Sequence, residues 1–302
     1  VTAPTGRVDE RPTNREFACR SIVKKLLQIN EFVIALFGLQ VKNSSRGGWE
    51  FMFRLVRWTI VSLGWTLCVT ALASDLRAES AREAAKAYVE MGDRFMRQGS
   101  AKLAIGAYNI AIDYAPEFLP AYFQRALAYE SSHELDRAAA DYDRVLQINP
   151  RCAEAYANRG YVFALKGEHE KALSDWETAL TIKPTLTTVY YNRGNLRLSF
   201  GDSEGAIVDF DRALETNPGF ARAYNNRGIA RMEIGDEQGA IKDFRQAIAI
   251  SPKQTQAYAN LGFIWLHQGK TQEAEQSFKQ SVAIDPSSKV LIEERVAEIT
   301  QR

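Results

Sequence analysis

An all-α solenoid of six antiparallel helix pairs with a C-terminal capping helix is the fold this sequence predicts, on three observations. A 34-residue unit is written six times between Ala85 and Ser288 without insertion or deletion. Each unit holds two stretches of helical apolar periodicity, parted by a turn that is Gly-centred in most units and closed by Pro. After the sixth unit, Lys289 to Arg302 sets Val290, Leu291, Ile292, Val296 and Ile299 among charges, as in a helix that solvates the last stacking face.

The units run 85–118, 119–152, 153–186, 187–220, 221–254 and 255–288. Place 4 is always Tyr (Tyr88, Tyr122, Tyr156, Tyr190, Tyr224, Tyr258), and place 20 always Ala (Ala104, Ala138, Ala172, Ala206, Ala240, Ala274). Place 8 is small throughout (Gly92, Ala126, Gly160, Gly194, Gly228, Gly262), and place 24 is aromatic (Tyr108, Tyr142, Trp176, Phe210, Phe244, Phe278). Place 32 is Pro in every copy, from Pro116 to Pro286. Small residues at places 8 and 20 allow two helices to touch, and the rings fill the space on either side. In the fourth unit Gly201 suits the left-handed residue that ends a helix, and Asp202 or Ser203 is placed to cap the next one. Pro218 then stops that second helix, because it lacks an amide donor and restricts Asn217 before it. The same punctuation recurs at Gly167, Gly235 and Gly269; His133 replaces this glycine in the second unit, which predicts a slightly different turn there.

The period and these signature residues resemble the tetratricopeptide-repeat (TPR) family, over about two-thirds of the chain. The resemblance implies a right-handed superhelix whose first helices line a concave groove through places 2, 5, 6, 9, 12 and 13. It implies a non-catalytic scaffold for a protein or peptide partner, with no cofactor. Place 6 reads Glu90, Gln124, Asn158, Asn192, Asn226 and Asn260. An amide both donates and accepts, so a ladder of asparagines can hold a peptide backbone without regard to its side chains. This ladder is similar to the one in the TPR superhelix of O-linked N-acetylglucosamine transferases, although nothing here resembles their catalytic domain. The competing reading is that Asn-Arg-Gly merely fills the repeat. The candidate peptide-binding residues are thus Gln124, Asn158, Asn192, Asn226 and Asn260, with Asn195 at place 9. Between the amides Phe123, Tyr161, Tyr191, Ile229 and Phe263 offer apolar contact, and Lys86, Asp93, Arg97, Glu154, Arg222 and Glu233 offer mixed charge. The family's two-carboxylate clamp is not expected, because its best match (Tyr191, Asn195, Asn226, Gln256, Asn260) contains no cation.

A second pattern concerns charge. Place 7 is Arg in the four inner units (Arg125, Arg159, Arg193, Arg227), and place 23 is Asp in the same four (Asp141, Asp175, Asp209, Asp243). The outer units have Met91 with Ala107, and Leu261 with Ser277. Because both residues appear and vanish together within a unit, four bridges within units are predicted between first and second helices. Recent duplication of the inner units is the reading without contact.

Before the repeats, Met-Phe-Arg-Leu-Val-Arg from Met52 is followed by an apolar run from Trp58 to Ala73 and then Ser74-Asp75. That order, basic, apolar, then small, is expected of a signal peptide at 52–73 cleaved after Ala73, on the way to a bacterial periplasm or beyond. The apolar run falls short of the roughly 20 residues a spanning helix needs; retention as a membrane anchor is the alternative. Residues 1–51 read as an N-terminal extension, either upstream sequence before a true start at Met52 or a membrane-surface or regulatory segment. Their modest amphipathic run, Phe17 to Val41, is followed by a predicted break at 43–48. Residues 74–84 are a lead-in helix.

Charge is divided unevenly: residues 1–73 carry +5 and the remainder −4, within a total of +1. A net-negative body argues against general nucleic-acid binding, which needs basic stripes. Cys19, Cys68 and Cys152 form no metal or redox spacing. His133, His169 and His267 fall at unrelated places, and no Gly-rich phosphate loop is present, so catalysis has no support and the chain is expected not to be an enzyme. Two further roles remain open, a membrane-tethered assembly factor and the recognition subunit of a separate enzyme.

Overall fold

The structure, a computed structural model, describes residues 46–300. It divides into two units, Val1–Ala84 and Ala85–Arg302. The described residues of the first unit belong to helix α1 (Arg46–Arg97), which continues into the second as the first helix of the first repeat. Most of the expected extension, its amphipathic run at 17–41 included, lies outside the described residues. The break expected at 43–48 is not seen from Arg46 onward. Gly47 and Gly48 fall in the first turn, whose amides carry no intrahelical bond, so their weak helix preference costs little there. Along 58–76 the side chains of Trp58, Leu63, Trp65, Leu67 and Leu76 are exposed. No helix among the described residues is long and apolar enough to cross a membrane.

In the second unit each 34-residue copy folds as a helix pair. After α1 come α2 (Ala101–Tyr114), α3 (Leu119–Ser131), α4 (Leu135–Ile148), α5 (Ala153–Leu165), α6 (His169–Ile182) and α7 (Thr187–Ser199). They are followed by α8 (Ser203–Thr216), α9 (Ala221–Glu233), α10 (Glu237–Ile250), α11 (Thr255–His267), α12 (Thr271–Ile284) and the terminal α13 (Ser288–Thr300). Successive helices pack on one another within a copy and onward to the next, which makes an all-α solenoid.

The core is a string rather than a centre. One buried cluster spans each boundary between copies, such as Trp176 and Leu180 with Val189, or Phe210 and Leu214 with Ala223 and Ala230. The alanines of place 20 are at most 1% exposed. A methyl added to Gly194 would come within 2.8 Å of Phe210 Cε1, so the small residue at place 8 is required by the ring opposite it.

The turns follow the expected chemistry, with one correction. Asp202, not Ser203, caps α8, accepting from the Gly205 amide at 3.0 Å, and Asp236 caps α10 in the same way at 2.9 Å. Ser203 instead donates to Glu233 of the next copy. His133 does not produce a different turn. Its φ of 61° is as left-handed as the 77° of Gly167, and the flanking bonds are the same. The Glu134 amide reaches Tyr129 O at 2.8 Å, and the Glu168 amide reaches Phe163 O at 2.9 Å. The stacked copies fix the turn, and the histidine bears a backbone conformation that costs an L-residue about 1–2 kcal/mol. His133→Gly is therefore expected to raise stability by about 0.5–1 kcal/mol after the added unfolded-state entropy is counted. Urea melts of the two proteins check this.

All four predicted bridges are present. Arg125 holds Asp141 through two bonds of 2.7 and 2.6 Å, and Arg159 holds Asp175 through two of 2.7 Å. Arg193 meets Asp209 at 2.6 Å and Arg227 meets Asp243 at 2.6 Å. Each guanidinium also lies over the place-4 tyrosine of its own copy, 5.2–5.8 Å from the ring centre. Three of the four reach back to place 25 of the preceding copy: Arg125 to Asn109 at 2.6 Å, Arg159 to Asp143 at 2.5 Å, and Arg227 to Asp211 at 2.5 Å. The hydrogen bond to Asp175 outweighs burial and holds Arg159 protonated above the usual guanidinium range, with Asp143 adding to it. In two copies the aspartate takes a second arginine, Arg197 on Asp209 at 2.9 Å and Arg231 on Asp243 at 2.8 Å.

Candidate functional site

The first helices α3, α5, α7, α9 and α11 carry the candidate residues, and the 34-residue phase puts place 6 of each at an equivalent position. The asparagines are nevertheless not equivalent rungs. Asn226 Nδ2 donates to Asn195 Oδ1 at 2.7 Å and to Tyr191 Oη at 3.2 Å. Its Oδ1 accepts from Asn225 Nδ2 at 3.0 Å. Asn225 Oδ1 in turn accepts from Asn260 Nδ2 at 3.1 Å. Amide bonds thus run from α11 through α9 to α7 as one relay. Asn158 bonds the buried Tyr142 hydroxyl, which also donates to Glu130 Oε2 at 3.3 Å. Asn192, half-buried, makes no side-chain hydrogen bond among the described residues. Burial lifts the Glu130 carboxyl above its ordinary range, against the lowering effect of the Tyr142 bond, and burial and then Glu130 raise the Tyr142 hydroxyl.

Two cavities open on these helices. One, of about 710 Å³, brings the predicted Tyr191 and Asn226 together with Phe220, Asn225, Arg222 and Lys253. Its wall is aromatic, since the Tyr191 ring stands 4.7 Å from Phe220 and 6.1 Å from Phe210. The other, of about 640 Å³, brings Asn260 and Phe263 together with Ile229 and with Arg295, Glu298 and Ile299 of α13. There Arg295 lies over the Phe263 ring, 5.4 Å from its centre, and Phe278 stands 5.1 Å away on its own side. Phe123, Gln124, Asn158 and Tyr161 line neither cavity. Phe123 is half-buried with its edge toward Tyr142, whereas Tyr161 is 39% exposed.

Three contributors escaped the sequence reading. Asn225 sits at place 5, where the second and fourth units carry Phe123 and Tyr191, and the doubled Asn225-Asn226 is the signal that marks it. Lys253 lies between copies, outside the groove places. Helix α13 does more than solvate the last face, because it closes the second cavity; only the spacing of Val296 and Ile299 hinted at an inward side. Of the histidines, His133 holds a turn, His267 lines the second cavity, and His169 stacks edge-on to Phe200 at 5.1 Å with its Nδ1 buried and unbonded. No group of three metal-ligating side chains occurs among the described residues.

Family models described as tetratricopeptide repeat match residues 89–150, 123–186, 191–255 and 231–291. No curated protein matches the chain in sequence. Among solved structures the chain is similar to pilF of Pseudomonas aeruginosa, at 18% identity and a TM-score of 0.64, over 72% of this chain and 99% of that one. It is similar to PilW, described as a widely conserved type IV pilus biogenesis factor, at 21% identity and 0.60, over 67% and 94%. It is also similar to YrrB, described as a TPR protein with an unusual peptide-binding site, at 23% identity and 0.53, over 63% and 97%. At these identities the likeness is one of fold.

Proposed function

Because the chain belongs to the tetratricopeptide-repeat family, whose repeats are interaction scaffolds, we propose that it holds an extended segment of a protein partner along the first helices. The observation that carries this is the amide relay from Asn260 to Tyr191 beside an aromatic-walled cavity of about 710 Å³. Amides that already bond one another keep lone pairs and protons directed along the groove, and an extended backbone matches them without a fixed sequence. Exposed rings such as Tyr161 supply contact area for alternate side chains. The chain itself carries out no chemistry in this reading.

Export is part of the same proposal. The basic, apolar and small-residue order of 52–73 supports it, as do the exposed Trp58, Leu63 and Trp65, which suit a segment bound for a nonaqueous carrier rather than for a finished surface. Mass spectrometry of the cell-derived protein is expected to find a mature N-terminus near Ser74. An intact 52–73 segment would instead favour a tethered form.

The groove is tested by crosslinked capture from native extract, comparing the wild type with a variant in which Asn158, Asn192, Asn226 and Asn260 are all Ala. Capture of the partner is expected to fall at least about tenfold, since several bonds of about 1 kcal/mol each are lost. Equal helicity by circular dichroism shows that the variant is folded. Equal capture by both proteins would move binding off the groove.

A further inference from the structure

We propose that the cavity between α7, α9 and α11 is a carboxylate site, so that the segment bound in the groove presents an acidic group to Arg222 and Lys253. This rests on the groove reading above and adds the chemistry of what is bound.

Both cations line the cavity, both are exposed, and neither has an acidic partner among the described residues. None of the residues that line it is acidic. The contrast with the third copy is informative. There Glu154, the second residue of the first helix, pairs at 2.7 Å with Lys183, just past the end of the second. In the fifth copy Arg222 stands at the place of Glu154 and Ser251 at that of Lys183, and Lys253 two residues on adds a second cation, so the charge has no internal answer. The remaining polar lining is amide and hydroxyl: Asn225, Gln254, Gln256 and Ser251. Such groups donate to a carboxylate without competing for the cations. Helices α9 and α11 also begin here, and their caps Phe220 and Gln254 contribute no side-chain bond, so the positive ends of both helices add to the field. The apolar wall of Tyr191 and Phe220 excludes water from one side, which strengthens the attraction.

The arrangement differs from the two-carboxylate clamp considered from the sequence. That motif places its cations at groove places where this chain has Tyr191, Gln256 and Asn260. Here Arg222 stands at place 2 one copy earlier than the clamp's place-2 cation, and the other cation, Lys253, lies in the connection between copies.

The carboxylate belongs either to an Asp or Glu side chain within the segment or to its C-terminus, and two probe libraries separate these. Random decapeptides displayed on phage, one library with free C-termini and one followed by an uncharged linker, are selected on the full chain and on R222Q/K253Q. Wild type is expected to enrich peptides with an acidic residue at one fixed position in both libraries if a side chain is bound. It is expected to enrich only the free-ended library if a terminus is bound. Synthetic copies of the selected peptides are expected to bind R222Q/K253Q about tenfold more weakly, with a smaller loss at high salt. Selected peptides without an acidic group or free-end preference, or an equal preference on both proteins, would overturn the carboxylate assignment and leave the groove reading standing. Failure to select peptides on either protein would overturn both.

Discussion

Arg159→Ala is expected to cost about 3–5 kcal/mol of unfolding free energy, and adding Asp175→Ala to it is expected to return part of that loss. The reason is asymmetry of burial. The side chain of Asp175 is only 9% exposed and has Arg159 as its arginine partner, so the single change strands a buried carboxylate. The double change removes the stranded charge as well. Arg159 also bonds Asp143 of the preceding copy, so the same substitution loosens a boundary between copies. Arg193→Ala is expected to cost less than Arg159→Ala, because Asp209 keeps Arg197 at 2.9 Å. Urea melts of the three variants measure all of this. Equal cost for Arg159→Ala and the double variant would mean that the stranded Asp175 carboxylate carries no penalty, against this account.

Phe210→Ala is expected to cost a further class of energy, about 3–5 kcal/mol of packing. The ring is fully buried between the two helices of the fourth copy and lies against Gly194, whose missing side chain exists to admit it. The consequence extends beyond one copy. In a solenoid each copy contacts only its neighbours, so a weak link in the middle uncouples the two ends. The wild type is expected to unfold in one transition and Phe210→Ala in two, visible when Trp176 fluorescence, in a background with the other four tryptophans changed to Phe, and helicity are followed together. A single coincident transition at unchanged midpoint would contradict the packing role.

The fold was legible because its causes repeat. Tyr at place 4, Ala at place 20 and a ring at place 24 each appear in every copy, so one physical reason could be checked in each. The Arg–Asp bridges were legible for the same reason, as their joint absence from the outer copies fixed the pairing. Their second arm was not, since Asn109, Asp143 and Asp211 share a place with Glu177 and Arg245 and show no clean pattern. The turn at His133 misled because residue type was read as deciding conformation, whereas the packed helices on either side impose it. Along the first helices the phase located the asparagines, but periodicity says nothing of which amides bond one another. The doubled Asn225-Asn226 is the one sign of Asn225, whereas Lys253, outside the groove places, becomes visible only when the copies are stacked. The contribution of α13 depends on how one helix turns over the last copy, which fourteen residues of mixed charge do not encode locally.

The central claim, that a partner segment lies along the first helices, is tested most directly by photocrosslinking in cells. Benzoylphenylalanine is placed singly at Tyr161 and Asn192 on first helices, and at Leu103 and Val208, which are exposed on second helices. The account predicts one crosslinked partner from both first-helix positions and none of it from the other two. Crosslinks from Leu103 or Val208 alone would contradict it and assign the interaction to the outer face.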